Sequence, residues 1–258
     1  MFSDVLPENL DRLLALPDAA RVLDVGGWAA PLNRADWVID QMPFETRGAM
    51  MPAGFGPPPE RFSEDTYVQW DICDRDPWPF EDDFFDVAVC TFTLEDLRDP
   101  IGVCREMSRV ARAGYVEVPS LLDELIWHNP EASGGPWVGH AHHRWLCTLE
   151  DGDLVFLSKF HSLHTDWRVR VPPRWAAELS ARERILALWW DGQLVARERP
   201  AIDSYPFDEL ERAVRARFHP SEAELRARAL QERASVAARR ALRPLRRAAG
   251  AALGRRSG

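Results

Sequence analysis

Leu10, Leu13 and Leu14 recur at helical spacing behind Pro7, which predicts an opening amphipathic helix over residues 7–16, stopped by Pro17 and Asp18. The next apolar runs lose that period. RVLDV at 21–25 is short, rich in Val and Leu, and closed by Gly26-Gly27, the pattern of a buried strand entering a tight turn. DWVID at 36–40, YVQWDI at 67–72, FFDVAVCTF at 84–92 and GYVEVPS at 114–120 predict four more strands, with the strongly apolar run at 84–92 central. Residues 41–63 hold so many Pro and Gly that a long ordered loop or lid is expected there, a type that often carries function. Asp99 offers a cap and Pro100 a first position for a helix to about Arg112, with Ile101, Cys104, Met107, Val110 and Ala111 on one stripe and Gly114 ending it. Strands alternating with such connections imply parallel pairing through right-handed crossovers.

Beyond residue 120 the rhythm changes. A stretch rich in Trp and His leads to DLVFLSKF at 153–160 and RILALWWDGQLVARER at 184–199, where Asp191-Gly192 predicts a hairpin turn. Helices are expected at about 206–218 and 221–248, the second interrupted by Pro244. The expected class is α/β: an open, mostly parallel sheet with helices on both faces, plus C-terminal β-hairpin additions and a helical tail. Residues 1–200 would form the main domain, with its core at about 20–120 and additions at about 121–200, and 201–258 a helical extension.

Composition narrows the classes. A chain of 258 residues with 46% apolar and 28% charged side chains is globular, which excludes a largely disordered chain or a rod. The net charge of −9 is unevenly placed: residues 233–258 carry eight Arg and no acid, so residues 1–232 hold 24 basic against 41 acidic groups. An acidic body argues against nucleic acid as a partner, because neutralising phosphates needs a broad basic face. Four Cys without a C-x-x-C pair read as reduced thiols. Asp4, Glu8 and Asp11 stand where a leader would be basic and then apolar, and no run approaches the roughly 20 apolar residues of a membrane span, so a cytoplasmic protein is expected. Leu242, Leu245, Ala249 and Leu253 share one side of the Arg-rich tail, a face suited to peripheral contact with the inner membrane surface; a solvated terminus is the other reading.

Candidate chemistry gathers at strand ends. Asp24 with Gly26-Gly27 closes the first strand, Asp40 the second and Asp71 the third, and the fourth leads into TFTLEDLRDP. In an open parallel sheet, ligands bind at the carboxyl edge, at the switch point between first and fourth strands. Glycines there let backbone approach a ligand, and an Asp closing the second strand can accept both hydroxyl protons of a ribose, which describes an adenosyl pocket. Turn chemistry would explain any one of these Asp residues, but three in equivalent places make it the poorer reading.

Taken in order, these pieces resemble the class I S-adenosylmethionine-dependent methyltransferases, especially the methyltransferase type 11 group. The resemblance is carried by VLDVGG at 22–27, VID at 38–40, WDI at 70–72, PWPFEDDFFDVAVCTFTLED at 77–96, REMSRVAR at 105–112 and YVEVPS at 115–120, and covers about residues 20–120. It implies a Rossmann-like fold with S-adenosylmethionine as cofactor. The backbone at Gly26 and Gly27 would approach the methionine part, with Asp24 supporting its ammonium and Trp28 in the same loop. Asp40 would hold the ribose hydroxyls, Asp71 would face the adenine amine with Ile72 packed on the ring, and Thr91 and Phe92 would lie under the methyl sulfonium. Three features depart from the pattern. D-x-G-x-G-x-G has become D-V-G-G-W-A-A, Asp24 and Asp40 are too close for a full intervening helix, and Asp96 stands where many relatives have His. The implied activity is methyl transfer to oxygen or nitrogen of a small molecule, or of a glycan or glycolipid intermediate. A non-catalytic binding or scaffold protein of the same fold is the alternative. A dinucleotide reductase is disfavoured, since G-x-G-x-x-G is absent.

Six of the seven His lie between 128 and 164, and GPWVGHAHHRWL, if extended, puts His140 and His142 on one face with His143 opposite. Metal ligation, general-base work toward the acceptor and plain structural roles all remain open for them. Sequence supplies ligands without convergence, so no metal is assigned. His142 and His143 are the candidates for removing an acceptor's proton, with Asp96 an alternative base or an orienting carboxylate. Holding donor and acceptor in line can itself supply much of the rate, so a dedicated base is optional.

Overall fold

The computed structural model describes residues 5–128, 137–201 and 204–253. Its main sheet has six strands: β1 (Val22–Val25), β2 (Trp37–Asp40), β3 (Tyr67–Gln69), β4 (Phe85–Thr91), β5 (Ala111–Pro119) and β10 (Ile185–Asp191). They lie in the order β10-β5-β4-β1-β2-β3, parallel throughout except for β10. Every residue of β1 is buried, as expected of a Val and Leu run flanked by strands on both sides and covered on both faces. From β1 the chain builds outward to β2 and β3, then returns to β4 and β5 on the other side, so the switch point falls between β1 and β4.

Helix α2 (Pro100–Val110) covers one face and is set by its own sequence: the Asp99 carboxylate accepts a hydrogen bond from Gly102 N at 2.9 Å, and Val103, Cys104, Met107 and Val110 are buried. The opposite face is covered without a crossover helix between β1 and β2. Helix α1 (Pro7–Leu14) supplies Leu13, and Val5, Leu32 and Phe55 join it against Val22, Val87, Val89 and Tyr115. The loop at 41–63 carries only one short helical turn, Phe44–Thr46.

Four expectations need correction. Helix α2 ends at Val110 and β5 begins at once, so Gly114 lies inside a strand. A Cβ there would sit 2.2 Å from the Ala88 carbonyl oxygen and 2.4 Å from the Trp190 ring, and only glycine lets these strands close. Next, the turn at Asp191-Gly192 makes no hairpin: β10 pairs with β5, whereas β11 (Ala196–Glu198) pairs in parallel with β9 (Asp153–Ser158) in a separate three-stranded sheet. The hairpin of that sheet joins β8 (Trp145–Glu150) to β9 through Asp151-Gly152, both in left-handed conformation as a primed turn demands. Two-residue strands β6 (Trp127–His128) and β7 (Trp137–Val138) pair antiparallel. Third, the strand expected at 67–72 stops at Gln69, because β3 is an edge strand with one neighbour only. Finally, after α3 (Phe207–Phe218), α4 runs Glu222–Leu253 through Pro244, whose missing donor is a local loss in a helix of 32 residues.

Candidate cofactor and acceptor site

At the end of β1, Asp24 is 2% exposed and its Oδ2 accepts a hydrogen bond from Leu32 N at 2.8 Å. Burial pushes its carboxyl up to about 7, helped by the charge of Asp40 and opposed by the Leu32 amide. Asp40, ending β2, accepts from Trp28 N at 3.2 Å and from Met42 N at 2.8 Å; burial raises it too, against those amides. Two buried carboxylates therefore pin the segment from Gly26 to Leu32. The glycines serve the chain's own close approaches: a Cβ on Gly27 would lie 2.2 Å from Asp24 Oδ2, and one on Gly26 2.4 Å from Thr93. Gly26 also has φ 77, a conformation side chains disfavour. The Trp28 indole donates to Thr46 Oγ1 at 2.9 Å, and Gly48 N donates to the Trp28 carbonyl at 2.7 Å, so the indole that replaces a glycine hooks this segment to the loop at 41–63.

Among the described residues the hydrogen bonds to the Asp24 and Asp40 carboxylates come from backbone amides and not from cationic side chains. Each carboxylate keeps lone pairs beyond those its amides use. Such a set of acceptors fits a cationic ligand bearing hydroxyls, which suits an ammonium at Asp24 and a ribose at Asp40.

The raised Asp24 carboxyl carries a pH signature. Its native form prefers the proton, so the cofactor-free protein is expected to lose stability as pH rises from the ordinary carboxylate range near 3.8 through about 7. In Asp24→Asn that fall should flatten, measured as melting temperature at pH 5, 6 and 7.5. Equal slopes in both proteins would remove Asp24 from the account.

Asp71, just past β3, is held by Arg98 at 2.8 Å and by Cys73 N at 3.0 Å, and the Arg98 guanidinium beside it draws its carboxyl below the ordinary value. Ile72 is buried, and its carbonyl accepts from the Trp78 indole at 3.1 Å. Thr91 ends β4, and Phe92 follows with φ 51 while its N–H donates to the Glu117 carbonyl at 2.8 Å. Sequence reasoning missed Arg98 and Thr93, although both stand inside the TFTLEDLRDP segment it singled out.

A second group forms directly beyond β4, on the helical turn Leu94–Asp96. Arg144 N donates to the Glu95 carbonyl at 2.7 Å, and the Trp145 indole to the Leu97 carbonyl at 2.8 Å, which brings the His segment onto this turn. Asp96 Oδ2 lies 3.9 Å from His142 Nε2, and Asp96 Oδ1 lies 3.9 Å from His143 Nε2. The expected split of the histidines between two faces does not occur. The segment from 139 to 144 bends instead of extending, the ring of His140 stacks on that of His143 at 4.5 Å, and His142 meets His143 edge-on at 4.5 Å.

Behind His143 stands a buried pair that the sequence did not reveal. His143 Nδ1 hydrogen-bonds Glu124 Oε1, and Lys159 Nζ donates to Glu124 Oε2 at 2.6 Å and to the His140 carbonyl at 2.9 Å. Burial drives the Glu124 carboxyl upward, but the His143 hydrogen bond and the Lys159 charge outweigh it and leave it below its ordinary value. Glu95 contrasts with it: 1% exposed, with neither carboxylate oxygen hydrogen-bonded, it is pushed well above the usual range by burial. Partial desolvation beside the neighbouring rings draws His142 below its ordinary value, against the pull of Asp96, although its side chain is largely exposed. The available signal was Lys159, the single lysine of the chain.

A parallel sheet with its switch point between β1 and β4, acids at the ends of β1 and β2, and an antiparallel strand closing the edge defines a Rossmann-like, doubly wound α/β fold. Residues 58–116 match the family described as Methyltransferase domain. Solved structures similar to this chain include an S-adenosylmethionine-dependent methyltransferase from Mesorhizobium loti, 15% identical over 71% of this chain and 96% of that one, with a TM-score of 0.37. An arsenic(III) S-adenosylmethionine methyltransferase from Chlamydomonas reinhardtii is 22% identical over 39% of each chain, with a TM-score of 0.28. A protein of Bacillus halodurans assigned as a methyltransferase is 22% identical over 44% of this chain, with a TM-score of 0.33, and the alignment spans about half, 52%, of that protein. No curated protein matches the chain. Among the described residues no helix is long and apolar enough to cross a membrane. The expected membrane-facing side of the Arg-rich tail falls on side chains from residue 239 onward, outside the described ones.

Proposed function

We propose that this chain transfers a methyl group from S-adenosylmethionine to an oxygen or nitrogen of a small molecule, or of a glycan or glycolipid intermediate. The observation that carries this reading is the convergence of Asp96, His142 and His143 directly beyond β4, on the sheet edge where Asp24 and Asp40 are buried. The cofactor, when bound, supplies an electrophilic methyl group. Asp40 would take the ribose hydroxyls, Asp24 the ammonium, the Gly26 and Gly27 backbone the methionine part, and Asp71 with Ile72 the adenine. Thr91 and Phe92 would floor the space at the methyl group. Asp96, His142 and His143 then handle the acceptor's proton, either as a neutral imidazole base oriented by the carboxylate or through the arrangement inferred below. The acidic body of the chain disfavours nucleic acid as acceptor.

Isothermal titration with S-adenosylhomocysteine tests the reading. Micromolar binding by the wild-type chain, lost in a folded Asp40→Ala variant, is the expected result. Absence of binding by well-folded wild-type protein would favour the second reading, a non-catalytic module of this fold. That reading draws on the amides of Leu32, Trp28 and Met42, which already engage both carboxylates.

A further inference from the structure

We propose that Asp96, His142 and His143 hold a divalent ion of the zinc type at the acceptor edge of the sheet. The part the ion would play rests on the methyltransferase reading; its binding does not. Among the described residues these three form the one group of His, Cys, Asp or Glu whose ligand atoms lie within 4.8 Å of one another. A single carboxylate faces both rings, at 3.9 Å from each Nε2. Those separations are too long for hydrogen bonds. Nitrogen and oxygen ligands about 2.0–2.2 Å from a tetrahedral zinc stand roughly 3.3 Å apart, so atoms that now lie within 4.8 Å of one another close the set by drawing in by at most about 1.5 Å. His142 has the freedom to make that move, with its side chain 69% exposed.

His143 is already prepared as a ligand. Its Nδ1 is taken by Glu124, and its Nε2 therefore faces Asp96. A carboxylate on the far nitrogen fixes tautomer and ring orientation and makes the near nitrogen a better donor, an arrangement that recurs behind metal-bound histidines. Lys159 in turn fixes Glu124 and offsets its charge.

An independent observation points the same way. Glu95 is buried with neither carboxylate oxygen hydrogen-bonded, and its Oε1 lies 4.0 Å from the same Nε2 of His143; Asp96 Oδ1 is also buried without a partner. Buried polar atoms left unpaired are costly and rare. A cation between Asp96 and His143 would give Asp96 a counter-charge and lower the cost of ionising the buried Glu95 beside it. Two imidazoles with a carboxylate select zinc-like transition ions over magnesium or calcium, which prefer all-oxygen shells. Three protein ligands leave a position open, where an acceptor hydroxyl would become more acidic. Its proton leaves to solvent, the oxygen pair forms the new O–CH3 bond, and the S–CH3 bond breaks with its electrons remaining on sulfur.

The test uses tag-free full-length protein stripped of metal by a chelator and dialysed. Zinc is titrated calorimetrically, cobalt(II) by its visible absorption, and S-adenosylhomocysteine binding and melting temperature are measured on the same samples. One zinc per chain is expected, bound at least tenfold more weakly in His142→Ala and in Asp96→Asn and unchanged in His161→Ala, which removes an exposed histidine outside the group. Glu124→Gln should weaken zinc by about 10–100-fold, the range for lost outer-shell support. Equal zinc affinity in wild type and His142→Ala overturns the inference, as does the absence of a cobalt band in wild type. S-adenosylhomocysteine binding without zinc binding overturns the ion and leaves the methyltransferase reading standing; zinc binding without S-adenosylhomocysteine binding does the reverse.

Discussion

Lys159→Met is expected to destabilise the fold by about 3–5 kcal/mol, the cost of leaving a buried carboxylate without its cation. The side chains of Lys159 and Glu124 are 3% and 1% exposed, so water cannot replace the lost ammonium. The substitution also removes the donor on the His140 carbonyl, loosening the segment that carries His142 and His143. Adding Glu124→Gln should restore part of the loss, since the charge that became unpaired is gone, and the non-additivity measures the pair. Urea unfolding at pH 7.5 of the wild type, both single variants and the double variant reads this directly. A loss below about 1 kcal/mol in Lys159→Met would mean that His143 alone compensates Glu124.

The second large effect falls on turnover. With an acceptor found by screening, the double variant His142→Ala and His143→Ala is expected to lower methyl transfer by about 10²–10⁴-fold, the usual worth of positioned proton transfer. Its affinity for S-adenosylhomocysteine should stay within about threefold of wild type, because the rings stand beyond β4 and not on the loop pinned by Asp24 and Asp40. Unchanged turnover with a true acceptor would reduce the histidines to a structural role and leave in-line positioning as the main source of rate.

The parts of the fold that were legible are those written in local runs. Strands β1 and β2 lie where short apolar stretches end in Gly or Asp, β4 lies on the strongly apolar run at 84–92, and Asp99-Pro100 announced α2 with its buried stripe. Asp191-Gly192 misled because a turn dipeptide says that the chain reverses but not which strand waits beyond it. The partner of Trp190 is Gly114, far back in the chain, and no local rule pairs an indole with a glycine at that distance. The same limit holds for the site. Asp24, Asp40, Asp96, His142 and His143 could be named from strand ends and residue type, but the Arg98 that occupies Asp71 is 27 residues away, and the Lys159 behind Glu124 is 35 away. Departures from a familiar motif were visible; that Trp28 would reach Thr46 to brace the loop was not, since it depends on how two irregular segments fold together.

The antiparallel seam between β5 and β10 bears on how this protein is made. The hydrogen-bonding edge of residues 113–119 leaves the ribosome long before residues 185–191 that will cover it. Until then the nascent sheet presents a seven-residue border, apolar but for Glu117, the kind of surface that invites pairing with another chain. Gly114 adds to the exposure, because its missing side chain leaves a notch that only the Trp190 indole fills. Closure of the sheet is thus a late event in synthesis, long-range in sequence and correspondingly slow, and a nascent chain halted between the two strands would be a natural client for holding chaperones.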